Sequence, residues 1–243
     1  MRVCEELLIG TREIQITLKN IIHSKKKFRL KNKNIFITGG GSGIGEILTR
    51  SLIKNNNIIV TFFKSKKKIL EFKKKYPKNI IGLKVNFNNQ DEILNTTKFI
   101  KKKFKNINLI IFNALIPAKR KMFTKTSVNE IEKNFKRNFL SNVIFTKELI
   151  SAITKQREKC QIIHISSNVS KSGGWGLSNY APFKSAFDNF LHGIEKEFYS
   201  KIQCISVKLG PVKTRGYLYT NGYNNKNFLS LEEASNKIIS KIK

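Results

Sequence analysis

Cysteine is scarce in this chain. Cys4, Cys160 and Cys204 are the only three in 243 residues, an odd and scattered set without metal-ligand spacing. That argues against a disulfide framework and a cysteine-held metal, and it fits free thiols in a reducing cytoplasm. Long apolar runs are missing too: nothing approaches the roughly 20 residues needed to cross a bilayer. The N-terminus lacks an apolar stretch followed by a small-residue cleavage site, so no signal peptide is expected. Acid is the third shortage. Asp91 and Asp188 are the only aspartates, and 16 acids face 47 lysines and arginines, a formal net charge of +31.

Such a charge invites a nucleic-acid reading. Three features oppose it. The basic residues are spread along the whole chain, and lysine far outnumbers arginine, the better bidentate reader of phosphates and base edges. Lysine, asparagine, isoleucine and phenylalanine are abundant together, and their codons are A/T-rich, so base composition accounts for the excess. No specific nucleic-acid partner is expected. Salt-sensitive adhesion, and attraction for acidic substrates or anionic lipid surfaces, follow from the charge alone.

What is present is more specific. Tyr180 and Lys184 stand four apart in Asn179-Tyr-Ala-Pro-Phe-Lys, and Ser167 precedes Tyr180 by thirteen positions. On a helix that spacing places hydroxyl and ammonium on one face. A nearby cation favours the phenolate, so the Tyr180 proton should become easier to move. A serine arriving from a strand end can hydrogen-bond the same substrate oxygen. Upstream, an apolar strand over 34–38 runs into Gly39-Gly-Gly-Ser-Gly43-Ile-Gly45 and then a helical pattern. Strand, glycine turn and helix N-terminus together suit a pyrophosphate, with backbone N–H groups and the helix dipole facing it.

Apolar patterning predicts strands over 34–38, 58–63, 79–85, 107–112, 160–166 and 202–209. Helices are expected over 66–76, 91–104, 128–155, 180–199 and 231–242, the third with Ile131, Phe135, Phe139, Val143 and Leu149 inward. The alternation argues a Rossmann-like, doubly wound parallel α/β sheet with helices on both faces, and six core strands. Residues 33–243 read as one domain and residues 1–32 as an extension preceding it.

Several motifs in order carry a resemblance to the short-chain dehydrogenase/reductase family, over about residues 33–237. Thr38-Gly-x-x-x-Gly-Ile-Gly45 resembles its cofactor turn, Phe112-Asn113-Ala114-Leu115 its Asn-Asn-Ala-Gly segment, and Asn138 its helix asparagine. Ile165-Ser166-Ser167, the Tyr180/Lys184 pair and Leu209-Gly210-Pro-Val-Lys-Thr214 complete the series. Leu115 stands where the family has glycine. The family's usual seventh strand has no residues left to form it.

The resemblance implies an oxidoreductase that moves a hydride between a nicotinamide and a carbonyl or secondary alcohol, as a carbonyl reductase. It implies Ser167, Tyr180, Lys184 and Asn138 as catalytic residues. Gly39, Ser42, Gly43, Ile44 and Gly45 would hold the pyrophosphate. Asn86 and Phe87 would sit against the adenine, and Asn113 and Ala114 along a ribose. Lys184 would bind ribose hydroxyls, and Val212 and Thr214 the carboxamide. The place where NAD-using members carry aspartate is Phe63, followed by Lys64 and Ser65, so NADP is expected over NAD. Trp175, Tyr217, Tyr219 and Tyr223 would wall the substrate. His164 reads as a packed or satisfied core histidine, not a base. The resemblance also implies a homodimer or homotetramer, with Phe183, Phe187, Phe190 and Leu191 at the contact or facing their own sheet. The alternative is a dinucleotide-binding sensor or scaffold without chemistry, which would have no need of all four catalytic residues.

Overall fold

The computed structural model of the protein describes residues 30–115, 119–217 and 228–243. Most of the N-terminal extension, and Tyr219 and Tyr223, lie outside the described residues. Leu30 already packs on the core, and its carbonyl accepts from Asn56 Nδ2 at 3.0 Å.

Six strands form one sheet: β1 (Asn34–Ile37), β2 (Asn57–Phe62), β3 (Ile80–Lys84), β4 (Leu109–Phe112), β5 (Cys160–Ser167) and β6 (Ile202–Leu209). Their order is β3-β2-β1-β4-β5-β6, and every pairing is parallel. The expected α/β class and strand number hold, with ends shifted by no more than two residues. Runs such as Ile58-Ile-Val and Leu109-Ile-Ile-Phe are buried on both faces, as a sheet covered by helices requires. Strand order reverses between β1 and β4, which opens a crevice at the strands' C-terminal ends.

The helices are α1 (Gly43–Leu52), α2 (Lys66–Lys75), α3 (Gln90–Lys103), α4 (Val128–Phe135), α5 (Ser141–Ile153), the single-turn α6 (Val169–Ser172), α7 (Ala181–Glu197) and α8 (Leu231–Ile239). Local chemistry starts several of them. Asn89 accepts from the Asp91 and Glu92 amides at α3, and Ser127/Glu130 and Ser230/Glu233 form capping boxes at α4 and α8. Pro182 lies in the first turn of α7, where a missing N–H is tolerated.

The expected 128–155 helix is interrupted by a π-turn, Lys136–Leu140, between α4 and α5. Its inward face agrees with the expectation only in part. Asn134, Asn138, Ser141, Asn142, Phe145 and Leu149 are buried, whereas Phe135 is 39% exposed. Of the expected inward residues Leu149 is fully buried and Phe139 and Val143 pack on the core, while Phe135 turns to Phe139 and Phe183. Phe187 and Leu191 are fully buried against their own sheet, which leaves Phe183 and Phe190 as the partly covered members of the expected subunit face.

Candidate active site

The sheet delivers three loops to one edge. β1 ends in the glycine turn, β4 in Asn113 and β5 in Ser167. Gly43 adopts a φ of +54°, the left-handed region that side chains disfavour, as α1 begins. Gly45 faces the turn so closely that a Cβ there would overlap the Gly39 carbonyl oxygen. Ser42 precedes α1 in extended conformation and makes no side-chain cap. The first N–H groups of α1 therefore face the crevice without a side-chain acceptor, in a cradle shaped by missing side chains. That arrangement fits a dinucleotide pyrophosphate.

Asn113 builds this cradle rather than only bordering it. Its Nδ2 donates to the Thr38 and Gly39 carbonyls, both at 3.0 Å, while Thr38 Oγ1 accepts from the Asn113 and Ala114 amides at 3.0 and 2.9 Å. Thr214 lies across from Gly43: its methyl would be 3.7 Å from a Cβ built there. Val212 is buried and bridges Leu229. Leu115 is partly exposed beyond Ala114.

Past the end of β2, Phe63 and Lys64 are exposed, and Ser65 packs against Gly41. The structure adds an acid near this corner that strand-end reasoning missed: Glu46, in the first turn of α1. Arg50 at 2.6 Å and Lys68 at 3.7 Å answer it. Asn86 follows β3, its amide donating to Glu92 Oε2 at 2.7 Å. Phe87 corrects an expectation. Its ring is buried on Phe145, with centroids 5.6 Å apart, so only its backbone can face an adenine.

Ser167 ends β5, and Tyr180 is the residue immediately before α7. The Ser167 hydroxyl stands close enough to the phenol to favour its ionised form. The Tyr180 pKa departs from the sequence expectation. Burial pushes it up to about 12 against the pull of Ser167, and Lys184 is not among the groups that lower it. The Lys184 ammonium is committed to β5 instead, donating to the Ile165 carbonyl at 2.7 Å with His164 Nε2 at 3.3 Å. Burial lowers the Lys184 pKa to about 8, and the charge of Asp188 resists the fall. Asn138 is buried within the π-turn, a distortion frequent at functional sites, and its carbonyl accepts from Asn142 Nδ2 at 3.2 Å.

His164 is buried with partners at both ring nitrogens. Its Nδ1 lies 2.7 Å from Asp188 Oδ1. Burial first, then the Lys184 charge, lowers the His164 pKa to about 4, so the ring is neutral. Burial alone would raise Asp188; His164, Ser206 and Ser166 outweigh it and hold the carboxyl well below the usual range. Sequence reasoning passed over Asp188. The available signal was its place four residues after Lys184, hence on the same helix face.

Exposed apolar side chains follow β4 and α6. Trp175 is 71% exposed, as are Met122 and Phe123 to a lesser degree. The Lys121 amide donates to the Gly176 carbonyl at 3.2 Å and ties the loop after β4 to the loop after α6. Tyr217 packs edge-on against Phe228, 5.1 Å between centroids. No group of metal-ligating side chains occurs among the described residues, and no described helix is long and apolar enough to cross a membrane.

Comparison with known proteins agrees with this geometry. A family model described as short chain dehydrogenase matches residues 33–220. A 3-oxoacyl-[acyl-carrier-protein] reductase of Buchnera aphidicola is 28% identical over 180 residues, 73% of this chain and 73% of that protein. An L-rhamnose 1-dehydrogenase (NADP(+)) of Thermoplasma acidophilum is 28% identical over 168 residues, 68% of this chain and 66% of that protein. Among solved structures, 3-ketoacyl-(acyl-carrier-protein) reductase from Brucella melitensis complexed with NADH superposes with a TM-score of 0.79. It is 16% identical, and the match covers 88% of this chain and 92% of that one.

Proposed function

The chain is an oxidoreductase of the short-chain dehydrogenase/reductase family, and from that premise we propose that it is an NADP-dependent carbonyl reductase working through Ser167, Tyr180, Lys184 and Asn138. The observation that carries this reading is the placing of Ser167, at the C-terminal end of β5, and Tyr180, directly before α7, beside the sheet end that also bears the glycine cradle. When bound, the dinucleotide supplies a hydride to the carbonyl carbon. Gly39, Ser42, Gly43, Ile44 and Gly45 hold its phosphates, Lys64 and Ser65 its adenosine end, and Val212 and Thr214 its far end. Asn86, the Phe87 backbone and Ala114 line the path between.

Each side chain then has one task. Ser167 donates a hydrogen bond to the substrate oxygen and stabilises charge as it grows there. Tyr180 gives that oxygen its proton. A tyrosine held at about 12 keeps its proton at neutral pH, which is the form a reduction needs. Lys184 and Asn138 stand behind it on the route by which the phenolate recovers a proton. A 3-oxoacyl thioester is the first substrate to try, given the name of the Buchnera relative and the exposed apolar side chains Trp175, Met122 and Phe123.

NADP preference rests on Lys64 and on the lack of an acid directly after β2. Lys64→Glu should weaken NADPH about tenfold or more, through a carboxylate facing the 2′-phosphate, while NADH affinity changes little. Paired titrations of both nucleotides followed by Trp175 fluorescence measure this. Equal losses for both would place Lys64 outside the cofactor corner, and an unchanged NADPH affinity would assign the preference elsewhere.

A further inference from the structure

We propose that Asp188 and His164 form a positioning pair for Lys184, fixing where its ammonium stands and keeping it charged in an otherwise apolar interior. The proposal rests on reading Lys184 as part of the active site.

Among the described residues, Lys184 and Asp188 are the only buried members of the Lys, Arg, Asp and Glu set, each 7% exposed. Both lie on α7, one turn apart, yet they communicate through a ring from another element. The Asp188 carboxylate accepts from His164 Nδ1 at 2.7 Å, from Ser166 Oγ at 2.7 Å and from Ser170 Oγ at 3.0 Å. Ser206 of β6 also favours the ionised carboxylate. β5, α6 and β6 thus all contribute to holding one carboxylate. Pinning the proton on Nδ1 leaves the Nε2 lone pair facing the ammonium, because the partner of one ring nitrogen sets the state of the other. The result is a cation, a neutral ring and an anion in line, with the Ile165 carbonyl as the second acceptor for Lys184.

Stability alone does not account for the arrangement. Desolvating a cation and an anion costs about what their attraction returns, and apolar residues would fill the same space at no penalty. In a chain with two aspartates, one is spent here. The charged and titratable groups acting on Lys184 are Asp188 from its own helix and His164 from β5; α6 and β6 contribute only serines to Asp188.

The test uses Asp188→Asn, His164→Phe and His164→Asn in the full chain, with two readouts. The first is nuclear magnetic resonance of ¹⁵N-histidine and ¹³Cε-lysine, which reports the His164 tautomer and the Lys184 titration without substrate. The second is the pH dependence of kcat and of the NADPH dissociation constant, with a 3-oxoacyl thioester as substrate. Wild type should show His164 protonated at Nδ1. An asparagine at 188 can donate to Nδ1, so Asp188→Asn should move the proton to Nε2 and turn it against Lys184. The Lys184 midpoint should then fall below about 8. Activity, which needs the ammonium, should be lost at lower pH than in wild type. At neutral pH kcat should drop about tenfold to a hundredfold, with NADPH affinity within about threefold of wild type.

His164→Phe fills the ring space without an acceptor, and it should reproduce the lysine shift should Asp188→Asn fail to fold. His164→Asn can accept from Lys184 and donate to Asp188, so it should retain most activity. A purely structural pair would lower the yield of folded protein and leave midpoint and pH profile in place; that result overturns the proposal, as does a wild-type His164 protonated at Nε2. Absence of turnover in every protein would refute the reductase reading by itself. The lysine titration would still decide the pairing: a lowered midpoint supports it, and an unchanged one overturns it.

Discussion

Tyr180→Phe is expected to lower kcat about a thousandfold while NADPH affinity stays within a few-fold of wild type. A positioned general acid contributes about 10²–10⁴ in rate, and phenylalanine removes the proton with almost no change of shape. The structural cost is small by comparison. Tyr180 precedes α7 without a side-chain cap, so the helix start does not depend on the hydroxyl. What is lost besides chemistry is only the hydroxyl's proximity to Ser167. Steady-state kinetics alongside nucleotide titration separates the two effects. A variant with near-normal kcat would remove Tyr180 from the proton path, and one that no longer binds NADPH would make it a binding residue instead.

The second large effect belongs to the cofactor cradle. Gly45→Ala should reduce NADPH affinity at least a hundredfold. Gly45 is inside α1, where alanine ordinarily gains about 0.8–1 kcal/mol in helix propensity. Here the new methyl would overlap the Gly39 carbonyl oxygen and meet the Asn113 amide nitrogen, both parts of the turn itself. Overpacking costs of about 1–3 kcal/mol exceed the propensity gain, and relief requires the turn to open. Gly193→Ala is the matched control. It lies in α7, and a Cβ there meets nothing within 4 Å. That substitution should leave binding alone and raise stability by about 0.5–1 kcal/mol. Titration and thermal unfolding of both variants check the pair. Normal NADPH binding by the Gly45 variant would mean that the turn does not hold the phosphates.

Much of this was readable in the sequence because the responsible residues act locally. Buried parallel strands are continuous β-branched runs, and the Gly39–Gly45 turn carries its own conformational demand. The Tyr180/Lys184 spacing marks the start of α7, which begins at the residue after Tyr180. The failures have a common cause: burial of polar groups depends on partners distant in the chain. Asn134, Asn138 and Asn142 are inward on the helix pair while Phe135 stays partly outside. Period counting assigns apolar residues to the core and cannot foresee an amide satisfied by a distant carbonyl, as Asn134 is by Asn179 at 3.4 Å. The π-turn also shifts the register midway. Similarly, the effect of Lys184 on Tyr180 was inferred from sequence spacing, yet the ammonium is drawn to β5 by Ile165 and His164. Phe87 went the same way, taken into the core by Phe145. Glu46 was missed because the cofactor corner was read along β2 only, and α1 supplies the acid from the neighbouring segment.

The most direct test of the reductase reading is hydride tracing. The protein is incubated with NADPH carrying deuterium at the transferable C4 position and a 3-oxoacyl thioester, and the product is analysed by mass spectrometry. The account predicts a 3-hydroxyacyl product with one deuterium on the carbinol carbon, formed by wild type and not by Tyr180→Phe. NADPH that binds firmly yet transfers no deuterium to this or any ketone in a broad panel would contradict it, and would leave a dinucleotide-binding protein whose Ser167 and Tyr180 do no chemistry.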